Sequence, residues 1–543
     1  MYPYSINNKI MKQHLFLILC LLLPAMADAK GNDSFVEGAF KYTVLPVLNA
    51  HQDSLVEVSS IERTERATPF LQGKTLTIPG SVVHNGYQYK VRNIATSAFA
   101  VCDDFEHVII GEGIETINYG AFYRCSRLRS VSIPSTMTCI DCTAFNGCYS
   151  LESITVHEDN PVFDSRRDCN AIIDTQDREL ILGCHTTAIP PEVKSIGDGA
   201  FAGCLRLDSI AIPEGVVEIK SGAFYDCANL RNVTLPQSLT TLSGGNIFLG
   251  TGIRSIRIPR NVTSIQGAHF LGCLFLDSIV VDAGNPIYDS REGCNAIVET
   301  ATSKIISGCG NSRIVNGIKE IEEDAFANTP LPRIHIPQSV TKIHERAFDA
   351  CLFCTAITVE QGNPVFDSRG NCNAIIESHT GKLVVGCAAT TITEDITEIG
   401  DYAFSHRPMP AIVYIPEGIK RIGEWAFKNC SGLDLVVIPR SMEVIEPFAF
   451  YGCSVQDISW KGHVDVIDMY AFSHCPRLHV ANIPEGTKHI HSYAFKDCPR
   501  LRYVSLPSSL ERIDHKAFQG SPCQEVVKEE MSGIMPAVHD ENR

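Results

Sequence analysis

The stretch AFYRCSRLRSVSIPSTMTCIDCTAF, residues 121–145, contains one complete copy of the repeat that decides the fold. Val131 and Ile133 alternate with serines, and this alternation predicts a short, half-buried strand. Pro134 has no N–H to donate to a strand ladder, so the strand is expected to end there. The Ala-Phe step at each end of the copy places a small residue where backbones pass closely, followed by a large residue that fills the coil interior.

The phenylalanine of this step recurs along most of the chain. It stands at Phe99, Phe122, Phe145, Phe201, Phe224, Phe248, Phe270, Phe326, Phe348, Phe404, Phe427, Phe450, Phe472, Phe495 and Phe518. Neighbouring copies are 22 to 24 residues apart, except at three intervals of 56 residues. A period of this length predicts a repeat solenoid, here residues 93–520, in which each coil buries its apolar edges against the next coil.

Each 56-residue interval contains a second repeat. The segments NPVFDSRRDCNAII, NPIYDSREGCNAIV and NPVFDSRGNCNAII begin at Asn160, Asn285 and Asn363, and each is followed by a polar turn and a strand that ends in Gly-Cys. The pattern predicts three hairpin inserts, at about 157–188, 282–313 and 360–391. Three near-identical copies in one chain favour a structural module over three separate sites.

The two ends of the chain lack the repeat. Residues 30–92 predict a strand-rich N-terminal cap, with strands at 40–45 and 75–79 and a hairpin turn at 84–87. Residues 521–543 form a polar C-terminal tail.

Residues 1–29 predict a signal peptide. Lys12 precedes an apolar run at 15–23 that is too short to span a bilayer, and cleavage is expected after Ala29, which ends a small-x-small pattern. Translation could begin at Met1 or at Met11. No other long apolar run follows, so we expect a secreted or surface-located protein with no transmembrane span.

The Ile-Pro strand ends, the insert motif and an Ala-Phe-x-x-Cys-x-x-Leu step resemble the BspA-type leucine-rich repeat family of bacterial surface proteins. The step begins at Ala121, Ala144, Ala200 and Ala223, among other copies. The resemblance covers about residues 90–520. It implies a right-handed, leucine-rich-repeat-like coil of short strands joined by brief helical or irregular turns.

For function, the resemblance implies an exported or surface-displayed protein that binds a protein or glycan partner at the cell surface or in host matrix. Some family members are adhesins. The alternative is a structural envelope or spacer protein without a discrete ligand. The family implies no catalytic residues, and the sequence contains none of the common catalytic motifs, so we predict no enzyme activity, no cofactor and no metal site.

The chain is acidic, with a formal charge of −16 from 46 basic and 62 acidic residues. Binding to nucleic acid depends on basic clusters that neutralise phosphates, and no such cluster is present in the sequence. We therefore expect no nucleic-acid partner.

The 22 cysteines belong mainly to two sets. One set follows the repeat phenylalanine by three residues and predicts a buried ladder of free thiols: Cys102, Cys125, Cys148, Cys204, Cys227, Cys273, Cys351, Cys430, Cys453, Cys475 and Cys498. The other lies at opposite ends of the inserts, as the pairs Cys169 and Cys184, Cys294 and Cys309, and Cys372 and Cys387. After export these pairs could form cross-strand disulfides or remain packed thiols.

A candidate binding surface comes from the strand residues that alternate outwards. In early coils these positions hold small and mostly polar residues, such as Ser130, Ser153 and Ser209. In later coils they hold Ile412, Tyr414, Leu435, Val437, Val480 and Tyr503. Exposed apolar and aromatic strips are typical of interaction surfaces, although the C-terminal tail or a second copy of the chain could also cover this one.

Overall fold

The computed structural model describes residues 34–45, 55–61, 71–72 and 74–523. The predicted signal peptide with its cleavage site after Ala29, and residues 524–543 of the predicted tail, lie outside the described residues. The described residues divide into two compact units: one runs up to Cys148 and includes Thr155–Phe163, and the other comprises Tyr149–Ile154 and the described residues from Asp164 onwards. In the part of the chain that the structure describes, no helix is both long and apolar enough to cross a membrane.

The N-terminal cap is rich in strands, as predicted. Its strands are Ser34–Glu37, Phe40–Val44, Leu55–Ile61, Leu71–Gln72, Thr75–Ile78, Ser81–His84 and Tyr87–Ile94. The strand Leu55–Ile61 pairs antiparallel with Phe40–Val44 and parallel with Tyr87–Ile94. A two-residue Asn85-Gly86 turn connects the last two strands; both residues have positive φ, the geometry that an Asn-Gly hairpin favours.

After the cap, the coils contribute two sets of parallel strands, each divided among several sheets. We call the set of longer strands the long ladder: His107–Ile110, Ser130–Ile133, Ser153–Val156, Ser209–Ala211, Asn232–Thr234, Ser255–Ile258, Ser278–Val281, Arg333–Ile336, Ala356–Val359, Ile412–Tyr414, Leu435–Ile438, Asp457–Trp460, Val480–Asn482 and Tyr503–Ser505. In nine of these fourteen coils a proline such as Pro134 follows the strand directly or after one residue, and in the other five it does not.

The short ladder precedes the Ala-Phe step. Its strands are Thr116–Ile117, Cys139–Ile140, Ser195–Ile196, Glu218–Ile219, Thr241–Leu242, Ser264–Ile265, Glu320–Ile321, Lys342–Ile343, Glu398–Ile399, Arg421–Ile422, Val444–Ile445, Val466–Ile467, His489–Ile490 and Arg512–Ile513. The predicted solenoid of short strands is therefore confirmed. Among the described residues there is no α-helix, and the turns between strands are irregular apart from three short 3-10 helices.

The interior of the described chain contains columns of stacked phenylalanine rings, one in the first unit and three in the second, where the second and third inserts separate them. In the first unit, Phe99 and Phe122 lie 5.2 Å apart between ring centroids. In the second unit the spacing is 5.2 Å between Phe201 and Phe224, and 4.9 Å between Phe427 and Phe450. This spacing matches the separation of neighbouring strands, so the ladders set the distance at which the rings pack.

The ladder cysteines are buried as predicted, except Cys204, which is partly exposed. Eight of the eleven thiols also donate a hydrogen bond to the carbonyl oxygen of the preceding coil's phenylalanine. The Sγ of Cys227 lies 3.0 Å from Phe201 O, and that of Cys430 lies 3.1 Å from Phe404 O. The ladder residue is therefore a small buried donor as well as an apolar side chain.

The inserts each add an antiparallel pair of strands preceded by a two-residue strand. Their strands are Phe163–Asp164, Ala171–Asp174, Glu179–Gly183, Tyr288–Asp289, Ala296–Glu299, Lys304–Gly308, Phe366–Asp367, Ile375–Glu377 and Lys382–Val385, with 3-10 helices at Arg166–Asp168, Arg291–Gly293 and Arg369–Asn371. The last strand of each insert pairs in parallel with the next strand of the short ladder, so the insert continues that ladder.

Two side chains of the insert motif hold its ends. Asn363 donates from Nδ2 to the carbonyl oxygens of Pro337 and Val340 in the preceding coil, at 2.8 and 2.9 Å. Asp367 forms an ion pair with Arg369 at 2.7 Å and accepts a hydrogen bond from its backbone N–H. The motif therefore repeats because it satisfies its own polar groups, which fits a structural module.

A glycine ends each insert because the next ring lies against it. A Cβ added at Gly386 would stand 2.1 Å from Phe404 Cε1, and one added at Gly183 would stand 2.3 Å from Phe201 Cε1. Each new ring column therefore begins on the glycine backbone of the insert that precedes it.

Candidate interaction surface

Two of the predicted binding residues project from one strand of the long ladder. Ile412 and Tyr414 are 44% and 67% exposed, and the buried Val413 lies between them. Their strand pairs in parallel with Leu435–Ile438, so that Ile412 stands beside Leu435, which is half-buried. The structure therefore brings Ile412, Tyr414 and Leu435 together on one outward face.

Tyr503 and Val480 lie beside each other in a separate two-stranded sheet formed by Val480–Asn482 and Tyr503–Ser505. Tyr503 is 69% exposed and Val480 is half-buried. These two residues form a second apolar patch.

Val437 shares its register position with Tyr414 and Ser459 of the neighbouring strands, but it is only 7% exposed and so adds little accessible surface. The strip is also interrupted, since the exposed Asp457 stands beside Leu435 in the next coil. The binding surface itself remains a prediction.

The matching positions in earlier coils of the second unit carry different side chains. Ser209, Ala211, Asn232 and Thr234 are all exposed, and the register places Ser209 beside Asn232 and Ala211 beside Thr234. The polar face of these early coils offers little area for an apolar contact. It also supplies a matched control surface within the same unit.

A second surface feature of the late coils was not predicted. Five aromatic side chains stack one above another on the residue just before the Ala-Phe step, and we call them the aromatic column: Tyr402, Trp425, Phe448, Tyr470 and Tyr493. The ring centroids of Trp425 and Phe448 are 3.9 Å apart, and those of Tyr470 and Tyr493 are 4.9 Å apart. All five side chains are partly exposed. An aromatic residue at the same repeat position in consecutive coils is the sequence signal that could have revealed them.

The backbone conformation at this position is strained for any residue that carries a Cβ atom. The five residues of the aromatic column have φ between 56° and 63°. A left-handed conformation costs an ordinary residue about 1–2 kcal/mol, whereas glycine adopts it freely. Gly199 and Gly222 occupy the same position in early coils, and Asn246 does so in the next.

Basic side chains lie against the ends and the middle of the aromatic column. Lys428 Nζ lies 4.7 Å from the centroid of the Trp425 ring. Lys496 and Lys516 lie 5.3 and 5.8 Å from that of Tyr493. At the other end, burial raises the pKa of Tyr402 to about 12 and so keeps its hydroxyl protonated. The column is therefore an apolar surface edged by positive charge, although the chain as a whole is acidic.

The six cysteines of the predicted insert disulfides are buried free thiols in the structure: Cys169, Cys184, Cys294, Cys309, Cys372 and Cys387. Burial raises the pKa of Cys372, and this thiol lies 4.0 Å from Ser368 Oγ. Oxidation of the three pairs remains a prediction.

No group of three or more His, Cys, Asp or Glu side chains that could hold a metal ion occurs among the residues with described positions. The late coils present exposed aromatic and aliphatic side chains on paired strands. Side chains of these types are common at contact surfaces.

The profile of a family described as the BspA type leucine rich repeat region matches residues 86–166, 183–290, 301–375 and 391–524, in six copies. A comparison with curated protein sequences finds no match.

Among solved structures, the chain is similar to a leucine rich cell surface protein from Faecalibacterium prausnitzii, with 24% identity, 90% of this chain and 93% of that chain covered, and a TM-score of 0.33. It is similar to a leucine-rich repeat protein from Bacteroides ovatus, also with 24% identity, with coverages of 90% and 92% and a TM-score of 0.32. The chain is also similar to the pneumococcal vaccine antigen PcpA, with 15% identity, 94% of this chain and 98% of that chain covered, and a TM-score of 0.32.

Proposed function

The chain belongs to the BspA-type leucine-rich repeat family, and from this premise we propose that it is an exported, surface-displayed protein that binds a protein or glycan partner through its late coils. The contact surface consists of Ile412, Tyr414, Leu435, Val480 and Tyr503. The observation that carries the proposal is the exposure of Tyr414 and Tyr503 on neighbouring sheets of the same ladder. Tyrosine suits this role because it combines a large apolar contact area with a polar tip.

The energetics of the aromatic column support a role for the late coils beyond folding. An aromatic pair contributes about 0.5–1.5 kcal/mol beyond its buried area. Four such pairs contribute about 2–6 kcal/mol, whereas five left-handed residues at about 1–2 kcal/mol each cost about 5–10 kcal/mol, so stacking offsets only part of the strain. Since glycine or asparagine would fill the position without strain, as in early coils, fold stability alone does not account for five aromatic residues there.

Export supports the same proposal. Residues 1–29 have the charge, apolar run and small-x-small end of a signal peptide. An exported protein meets partners outside the cell, where an exposed apolar strip can serve for adhesion. The predicted absence of catalytic and cofactor chemistry leaves binding as the activity of the array.

The experiment measures binding of the full mature chain to an immobilised extracellular-matrix extract. The test variant combines Ile412→Ala, Tyr414→Ala and Tyr503→Ala. The matched control combines Ser209→Ala, Asn232→Ala and Thr234→Ala, which alters the same ladder positions in early coils. Circular dichroism and thermal melting establish that both variants keep the fold.

We expect the test variant to bind at least about tenfold more weakly than the parent chain, because central aromatic anchors commonly contribute more than 1 kcal/mol each. The control should bind as the parent does. Equal loss in both variants would place the contact elsewhere. A parent chain that binds no component of the extract would favour the envelope or spacer role instead.

A further inference from the structure

Two residues near the third insert depart from the repeat. Arg407 stands three residues after Phe404, where most coils have the ladder cysteine. Cys354 stands six residues after Phe348, where coils such as those at Leu128, Leu151 and Leu276 have leucine. A charged residue therefore replaces a buried thiol at one position, and a thiol replaces a buried leucine at the other.

Arg407 lies inside the core, with only 2% of its surface exposed. Its Nη1 donates to the carbonyl oxygen of Cys351 and its Nη2 to that of Phe348, each at 2.9 Å. The guanidinium thereby takes over the donor role of the ladder cysteine and reaches across the insert to the coil before it. Its Nε is buried without a hydrogen-bond partner.

A buried cation is costly unless an opposite charge lies close to it. Among the described residues no carboxylate forms an ion pair with Arg407, and Asp349 pairs with His406 instead, at 3.5 Å. The guanidinium is held instead by the two carbonyl oxygens, which join it to the turn just before Cys354.

Cys354 and Cys387 lie within hydrogen-bonding distance of each other, and both are buried in the same apolar cluster. Asn373 helps to hold them there. Its Nδ2 donates to the carbonyl oxygen of Thr355 at 3.1 Å and to the Sγ of Cys387 at 3.4 Å. The strand end of the insert is thus fixed against the turn that carries Cys354.

We propose that Cys354 and Cys387 are a redox pair that closes to a disulfide as the protein folds in an oxidising compartment. This pairing competes with the Cys372 to Cys387 bridge predicted from the sequence. The first two inserts lack it, because Leu151 and Leu276 occupy the position of Cys354.

The oxidant is a small disulfide such as oxidised glutathione. The Cys387 thiolate attacks one sulfur of this disulfide, so that a mixed disulfide forms and the first glutathione leaves as a thiolate. Cys354 then gives up its proton and attacks the Cys387 sulfur, which releases the second glutathione. The two protein thiols lose two electrons and two protons, and glutathione disulfide is reduced to two thiols.

Electrostatics support the order of these two steps. The hydrogen bond from Cys354 lowers the pKa of Cys387, with smaller contributions from the backbone of Ala389 and from Thr390, while the pKa of Cys354 is raised. Cys387 is therefore the attacking thiolate. A stabilised thiolate also favours the reduced protein, so the disulfide should be more easily reduced than a typical structural one.

The test refolds the reduced, full mature chain in mixtures of reduced and oxidised glutathione, alkylates free thiols and maps the peptides by mass spectrometry. We expect a peptide pair linked through Cys354 and Cys387. Cys354→Leu, which restores the leucine of other coils, should abolish the link and leave Cys387 alkylated. Cys372→Ala, the matched control, should leave the link intact.

A link between Cys372 and Cys387, or alkylation of both Cys354 and Cys387 at every glutathione ratio, would overturn the pairing. If a variant fails to refold, mapping of the parent chain purified without reductant decides between the same two pairings.

Discussion

The early and late coils of the second unit share one interior but not one surface. In the stack from Phe201 to Phe270, the centroids of neighbouring rings are 5.2–5.6 Å apart. In the stack from Phe404 to Phe518, they are 4.9–5.5 Å apart. Outside the core, the left-handed position before Ala-Phe is occupied by small residues in the early coils and by the aromatic column in the late coils. The outward strand positions change from polar to apolar in the same direction.

This contrast distinguishes the buried positions, which each coil requires, from the outward positions, where the repeat accepts different side chains. A coil needs its phenylalanine, its small neighbour and its buried donor, because the next coil packs on all three. It tolerates any outward side chain that the strand can carry. The core therefore stays constant along this unit while the outward surface changes between the early and the late coils.

The largest expected effect tests whether the two interiors are equivalent. Phe224→Ala and Phe427→Ala each remove a fully buried ring from the middle of a stack. Each should lower the free energy of unfolding by about 3–5 kcal/mol, through lost burial and the cavity left behind. Urea unfolding of both variants gives the comparison. A cost well below 1 kcal/mol at either site would show that the ring does not fill the core there.

A smaller effect concerns acid and belongs only to the early coils. His269 stands at the Ala position of the Ala-Phe step, fully buried, and neither of its ring nitrogens has a hydrogen-bond partner. Burial lowers its pKa from 6.5 to about 4. The unfolded chain therefore binds a proton at a pH where the folded chain does not, and stability is lost as the pH falls from 6.5 to 4.

The loss attributable to His269 should be about 3 kcal/mol between pH 7 and pH 4. His269→Ala restores the residue found in other coils and should remove that part of the pH dependence. Urea unfolding of parent and variant at both pH values measures the difference. Identical pH profiles for the two proteins would mean that His269 is not held neutral in the core.

The smallest effect tests how much the aromatic column contributes to the free energy of unfolding. Trp425→Gly relieves a left-handed conformation but loses the stacking partners of the indole ring, so stability should change by no more than about 1 kcal/mol. Gly222→Ala, at the same position in an early coil, should cost about 1 kcal/mol because alanine is strained there. A loss of several kcal/mol for Trp425→Gly would make the column a structural element and weaken its use as evidence for binding.

Most of the fold could be predicted from the sequence, because the same pattern of residues recurs many times at a nearly constant spacing. The positions of Phe122 and Pro134 within one copy define the coil, the strand end and the period. The family resemblance and the solenoid are both confirmed. The contacts of individual side chains could not be predicted, because they depend on the register between neighbouring coils.

The candidate site shows this limit at particular residues. Alternation predicts that Val437 is accessible, but the side chain is only 7% exposed between its register partners Tyr414 and Ser459. The aromatic column escaped notice because its members lie 22 or 23 residues apart and meet only when coils stack. Cys354 and Arg407 were likewise departures from the repeat whose meaning depends on the insert that separates them.

The central claim is that the late coils, and not the early ones, carry the contact surface. Hydroxyl-radical footprinting of the full mature chain, free and bound to immobilised extracellular-matrix extract, tests this claim in one measurement. Tyr414 and Tyr503 in the late coils should lose most of their labelling on binding, whereas the early-coil Tyr225, which is 44% exposed, should label equally in both states. Protection of Tyr225 with unchanged labelling of Tyr414 and Tyr503 would contradict the account.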